Sequence, residues 1–416
     1  MNQLRHVSLR LFKGAFSSDK TSIKSFPLAL LGIAQICSWG TLYYSFPQLA
    51  EAMIGEFGWI KSDVYAALTI CFLFSSITAI SVGKLLDKGY GRQIMVSGSI
   101  VAGLLLIVAS QVNSILGLYL VFAGIGVLHS ATLYEAAFSV IINNYQHETA
   151  RKKIITLTLW GGFASTIFIP LIEYLILSID WRDTLIVLGL INIVICAVIY
   201  GFLPQNRNKQ YKEHKSSNEH NVRWAMKQPI FWALLLCFSL FAATATTFKF
   251  HLYPILLEKG LSIQDIMITL AIMGPSQVFG RFAMGFISSN ISALQLGIFT
   301  TAVLPLTFFA LALLPTNIWL FIPFIILFGA ATGIMTIVKG IAIPELLTRE
   351  AYGVINGAMN IPIKLIKAAA PAIAAFVWVM TTSYDSVLIL LGLTSLLAVL
   401  CFTVVKYISK FSKSPN

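Results

Sequence analysis

Residues 83–92 read Gly-Lys-Leu-Leu-Asp-Lys-Gly-Tyr-Gly-Arg, a short charged turn set between two long apolar runs. An acid, Asp87, is flanked by Lys84 and Lys88 and followed by Arg92, while Gly83, Gly89 and Gly91 let backbone and neighbouring helices approach closely. Such a turn predicts ion-pair chemistry at a membrane boundary, with a helix on either side crossing the bilayer. A helix rises about 1.5 Å per residue, so roughly 20 apolar residues span the hydrocarbon core. Runs of that kind occur near 26–48, 63–85, 93–110, 115–141, 154–177, 183–203, 229–257, 264–287, 292–314, 317–342, 352–379 and 385–407. The count of twelve predicts an all-α membrane protein.

Composition agrees. With 57% hydrophobic and 11% charged residues over 416 positions, the chain has more apolar side chain than a soluble core would hide. The five cysteines (Cys37, Cys71, Cys196, Cys237, Cys401) all lie in apolar runs without paired spacing, so neither a metal site nor a disulfide framework is expected. No nucleotide-binding loop, metal-ligand spacing or nucleophile–base motif is present, so neither an enzyme nor a cofactor is expected.

The polar stretch 204–228 divides the runs into six and six. The expected organisation is a cytoplasmic tail (1–25), a first bundle (26–203), a cytoplasmic linker (204–228), a second bundle (229–407) and a cytoplasmic tail (408–416). With the N-terminus inside, 21 Lys and Arg fall in inner segments and only Lys61, Arg182 and Lys259 in outer loops. Both termini are therefore expected in the cytoplasm, and the formal charge of +12 is a sorting signal that needs no nucleic-acid partner. The first 25 residues are polar and basic, so the first run is expected to remain as an anchor in the membrane. The expected setting is a bacterial inner membrane, with the protein as a monomer.

An internal repeat accompanies this division. Gly58, Asp63 and Gly83 recur at an offset of 202 as Gly260, Asp265 and Gly285, and Tyr44-Ser45-Phe46-Pro47 aligns with His251-Leu252-Tyr253-Pro254. The copy after Gly285 has lost the charged turn.

The pattern Gly83-x-Leu85-x-Asp87-Lys88, followed by Gly91-Arg92, resembles the loop signature between helices 2 and 3 of the major facilitator superfamily of secondary transporters. That resemblance implies two pseudo-symmetric six-helix bundles and a cytoplasmic latch formed by Gly83, Asp87, Lys88, Gly91 and Arg92. The sequence carries one extra residue in the turn, at Gly89-Tyr90-Gly91.

Charges inside the spans cost about 2.5–3.5 kcal/mol each at the centre, which marks them as candidate functional residues. The first half has Glu135 in span 4 and, near an outer end, Glu173; the second has Lys249, Arg281, Lys339, Lys364 and Lys367. Lys364 and Lys367 are three apart in span 11 and share a face, where two ammonium groups need an anionic partner. One reading is a substrate carboxylate or phosphate held by Arg281, Lys364 and Lys367, with Tyr44, Tyr134 and His251 shaping the pocket. The other is that the lysines snorkel or pair with Glu135 or Glu173. Glu135 has two open readings as well: a proton-coupling carboxylate, or a structural ion-pair partner. Gln35, Trp39, Tyr43 and Tyr44 form a polar-aromatic stripe read as cavity lining. His129 reads as a packing residue and Lys339 as either a snorkelling or a pocket cation.

Gly280-Arg281-Phe282-Ala283-Met284-Gly285 is similar to the helix-8 arginine segment of the monocarboxylate transporter and oxalate–formate exchanger branch. The stretches His251-Leu252-Tyr253-Pro254, Gly58-Trp59 and Asp180-Trp181-Arg182 look like that branch too. The resemblance implies that Arg281 binds a substrate carboxylate and that Lys364 or Lys367 supplies a second cation. The chain departs from the animal carriers at Gln277, where they have an aspartate, and at Tyr43 and Tyr44, in the region of their helix-1 lysine. The function expected is transport of a small organic anion by alternating access, with proton coupling as a separate expectation. An exporter of amphipathic or toxic compounds is the alternative.

Overall fold

The computed structural model describes residues 27–204, 221–286 and 291–411. Arg5 to Lys24, the linker cations Arg207, Lys209, Lys212 and Lys215, Ile287–Asn290 and Lys413 lie outside the described residues. Among the described residues the structure is helical, with no strand. Nine helices among the described residues are long and apolar enough to cross a membrane. Two of them hold two spans each: Asp63–Ala109 turns at Gly89 (φ 83°) and His147–Gly201 turns at Asp180 (φ 71°). The first span is interrupted, running as Leu28–Trp39, a π turn at Gly40–Tyr44, and Phe46–Phe57. Divided at these points, the helices make the twelve spans expected.

The extra residue in the charged turn has a backbone explanation. Leu86–Tyr90 is a wide turn, and its Gly89 takes the left-handed conformation that only glycine adopts without strain. The repeat is visible in the same terms. Gly58 ends the first span at φ 64° and Gly260 follows the seventh, Pro229–Glu258, at φ 80°. Both hand the chain to a helix with an aspartate in its first turn, Asp63 and Asp265.

Packing inside the two halves also matches. The second span, Lys61–Leu85, lies on the fourth, and the eighth, Ile263–Phe286, lies on the tenth, Ile318–Leu346. A Cβ at Gly126 would come 2.1 Å from the Cys71 carbonyl, and one at Gly333 would come 2.2 Å from that of Gln277. Backbones in contact at these points are what small residues permit in a membrane, where dispersion rather than the hydrophobic effect holds helices together. The halves meet along two seams. The second span packs on the eleventh, Tyr352–Thr381, and the fifth on the eighth and tenth.

Candidate functional site

A cavity of about 210 Å³ lies where these seams converge. Its wall takes Trp39 and Tyr43 from the first span, Tyr134 and Glu135 from the fourth, Lys339 from the tenth, and Lys364 and Lys367 from the eleventh. Lys364 lies eleven residues beyond Gly353, about 16 Å along its helix, which is mid-depth in a core some 30 Å thick.

The fourth span is broken where it reaches the cavity. Ile115–Thr132 ends at Leu133 (φ −87°, ψ −163°), and a second segment, Tyr134–Asn144, begins at once. A break in hydrocarbon leaves backbone groups that need partners. The Thr132 carbonyl accepts from Gln35 Nε2 at 2.8 Å and from the Tyr200 hydroxyl at 3.3 Å. The break turns Tyr134 and Glu135 into the first turn of the new segment, where a carboxylate suits the helix dipole. In the first span the π turn opens similarly, and the Leu42 carbonyl accepts from His129 Nε2 at 3.2 Å.

Glu135 meets Lys364 across the interface, Oε1 to Nζ at 3.2 Å, and Lys364 also donates to Ser75 Oγ at 2.6 Å. One of the two cations of the eleventh span is thereby neutralised. Among the described residues, Lys367 and Lys339 make no hydrogen bond or ion pair; Lys339 Nζ lies 5.7 Å over the Phe238 ring. Asn356 and Asn360 also line the cavity and precede Lys364 and Lys367 on one stripe of the eleventh span, in steps of four, four and three. Sequence reasoning passed over both asparagines because they are neutral, although their spacing from Lys364 carried the signal.

Arg281 is buried behind this wall, 8% exposed, with Nε donating to the Gly333 carbonyl at 3.4 Å. Its guanidinium lies against Gly162 of the fifth span, where a Cβ would come 2.7 Å from Nη1. The neighbouring Gly161 makes the same room for Tyr134, whose hydroxyl would be 2.0 Å from a Cβ there. Tyr134 is stacked on Phe138 (5.1 Å, 9°) and packs on Trp39 at 4.9 Å. Tyr44 and Tyr134 both lie within electrostatic reach of Arg281, and Lys249 is within reach of Arg281 and Lys367.

Three expected lining residues stand off the cavity wall: Tyr44, which packs on Trp39 and Tyr43 with ring centroids 6.3 and 5.2 Å apart, His251 and Gln35. His251 is held between Tyr384 (Nδ1 to the hydroxyl, 3.2 Å) and the Pro371 carbonyl (3.0 Å from Nε2). A carbonyl only accepts, so Nε2 carries the proton and Nδ1 accepts from Tyr384; the ring ties spans 7, 11 and 12 together. Gln35 is fully buried in the hydrogen bonds that repair the fourth-span break.

The charged turn also differs from its expected pairing. Asp87 reaches the start of the eleventh span. Its carboxylate accepts from Gly353 N at 2.8 Å and Val354 N at 2.9 Å. Ala351, at φ 51°, starts the eleventh helix so that these two N–H groups have no partner within the helix. Gly83 and Gly353 bring the backbones close enough for this: a Cβ on Gly83 would sit 2.3 Å from the Gly353 carbonyl. Gly91 abuts Val140, whereas Lys88 and Arg92 are exposed and make no hydrogen bond or ion pair among the described residues. Two more clasps join the halves at this end. Arg151 pairs with Glu345 at 3.0 Å and donates to the Ile291 carbonyl, while Arg349 Nη2 donates to the Ile142 and Tyr145 carbonyls (3.1 and 2.7 Å) at the end of the fourth span.

At the opposite end Glu56 accepts from Trp181 Nε1 at 2.6 Å and from Arg182 Nη1 at 2.6 and 2.7 Å. The hydrogen bonds from Arg182, and then from Trp181, hold its carboxyl below the ordinary value of 4.5.

A mid-depth cavity shared by two pseudo-symmetric bundles, with clasps between them at one end, defines a twelve-span membrane transporter. The chain belongs to the Major Facilitator Superfamily, whose family model matches residues 31–361. It is similar to the Monocarboxylate transporter 12 of Xenopus laevis, with 21% identity over 400 residues, covering 86% of this chain and 82% of that protein. Among solved structures it shares its fold with the human organic anion transporter MFSD10 (TETRAN), at TM-score 0.70 and 11% identity over 90% of this chain and 98% of the other. A bacterial homologue of the iron transporter ferroportin, in an outward-facing state, gives TM-score 0.68 at 15% identity over 91% and 99%.

Proposed function

We propose that this transporter carries a small organic anion of the carboxylate type by alternating access, and that the cavity between the halves is its site. The observation that carries the reading is the charge balance: among the described residues Lys339, Lys364 and Lys367 line the cavity with Glu135 as its one acid, and Arg281 is buried behind the wall, within electrostatic reach of Tyr44 and Tyr134. Uncompensated cations at that depth are costly, and a bound anion offsets the cost. The name of the frog relative is consistent with such a cargo.

The Asp87 end is proposed to face the cytoplasm, from the lysine and arginine bias of the loops. The clasps at that end then describe the state closed to the cytoplasm, and transport requires breaking them. Glu135 has a place in this cycle. An anion that takes Lys364 releases Glu135 from its partner, and that exchange of partners is the step to which proton coupling is assigned. Glu135→Gln should abolish pH-driven accumulation in proteoliposomes while sparing anion exchange; unchanged pH dependence in that variant sinks the proton role.

The reading is tested by uptake of labelled carboxylates into proteoliposomes with the parent and Arg281→Ala. A charge-assisted contact to a carboxylate contributes about 1.5–3 kcal/mol, so uptake at low substrate should fall roughly 10- to 100-fold. A second reading is favoured by the seven aromatic rings of the wall, among them Trp39, Tyr43, Tyr134 and Phe238: export of amphipathic compounds, with the cations as scaffold. Resistance to such compounds that survives Arg281→Ala would favour it.

A further inference from the structure

The organic-anion reading leaves the charge of the cargo open, and the cavity wall narrows it. Three ammonium groups line the cavity, those of Lys339, Lys364 and Lys367, against one carboxylate, that of Glu135. The carboxylate is already committed: it lies 3.2 Å from Lys364, whose remaining hydrogen bond goes to Ser75 at 2.6 Å. That group is neutral as a unit. Lys339 and Lys367 are left on two different spans, the tenth and the eleventh, without a hydrogen bond or ion pair among the described residues. Arg281, behind Tyr134, has a backbone carbonyl for its partner and no carboxylate within ion-pair distance among the described residues.

We infer that the site is built for a dianion, a compact dicarboxylate with an apolar or aromatic body between its two charged groups. This rests on the organic-anion reading and adds to it. A monoanion would neutralise one of Lys339 and Lys367 and leave the other desolvated against a like charge, which is unfavourable in a wall made mostly of aromatic and aliphatic side chains. A dicarboxylate gives each lysine a partner. Asn360 and Asn356, one and two turns before Lys364 on the same stripe, supply neutral amide donors for the remaining carboxylate lone pairs. The Tyr134, Phe138 and Phe238 rings suit the body of the molecule.

Thermal stabilisation of the purified full-length protein is measured against two matched pairs at constant ionic strength, butyrate with glutarate and benzoate with isophthalate. A ligand that binds the folded state raises its apparent stability in proportion to ln(1 + [L]/Kd). In the parent, each dianion should reach the same shift at a concentration lower by about tenfold or more than its monoanion. In Lys367→Gln and, separately, in Lys339→Gln, that preference should shrink below about threefold, because one cation of the pair is gone. Equal potency of benzoate and isophthalate in the parent overturns the dianion assignment and leaves the organic-anion reading standing. A preference that both variants keep unchanged overturns the assignment to these two lysines. No shift from any of the four anions overturns both readings.

Discussion

Arg281 shows how far one residue can be read from its position in the chain. A guanidinium in an apolar run is visible at once as a cost that needs a reason. Its seat is not visible, because that seat is made by absent side chains on another span: Gly162 under the guanidinium and Gly161 under the Tyr134 hydroxyl. Read along the fifth span, the two glycines look like any small pair that allows helices to approach. The same limit hid the partners of His251, which lie 120 and 133 residues away. The seat makes a test. Gly162→Ala forces the guanidinium to move, whereas Gly201→Ala meets no atom within 4 Å. Gly162→Ala should reduce substrate affinity by about tenfold with the protein still folded, as checked by equilibrium binding, and Gly201→Ala should change it little.

Among the elements, the second and eleventh spans carry the closure. Their contact was legible as a charged turn with glycines, and Asp87 is its centre. The partner was not legible, because backbone N–H groups at a helix start carry no letter in the sequence, and the lysines and arginine nearby suggested themselves instead. Capping a helix start contributes about 1 kcal/mol, and more for a carboxylate that also meets the dipole. Asp87→Ala should therefore shift the population roughly fivefold or more toward the state open at the Asp87 end. Labelling of a cysteine introduced by Asn356→Cys, with reagent supplied from that side, measures the shift. The fourth-span break at Leu133 was wholly hidden, since neither proline nor glycine marks it. It shows only in the satisfied Thr132 carbonyl.

The tie between Glu56, Trp181 and Arg182 acts at the same scale. Its carboxyl is held below 4.5 in the folded protein, so its stabilisation is complete above that value and is lost as pH falls through the folded pKa. Glu56→Gln should lower the melting temperature slightly in the neutral region and flatten the acid limb below about pH 4.5, so that parent and variant converge at low pH, in thermal melts taken across that range.

For the whole molecule, composition and twelve apolar runs were enough for the architecture, because a bilayer permits few solutions. The duplication was legible from Gly58 and Gly260, which take the same left-handed turn at the ends of spans 1 and 7. What the halves do together depends on contacts between them, and these lie far apart in sequence: Ser75 and Glu135 with Lys364, Asp87 with Gly353, Arg151 with Glu345. The central claim is that the cations between the halves bind an anion. Its most direct test is thermal stabilisation of the purified protein by a panel of carboxylates, phosphorylated acids and lipophilic cations, in the parent and in Arg281→Ala. An anion should stabilise the parent, and Arg281→Ala should lose the effect. Stabilisation by lipophilic cations alone, equal in both proteins, would contradict it.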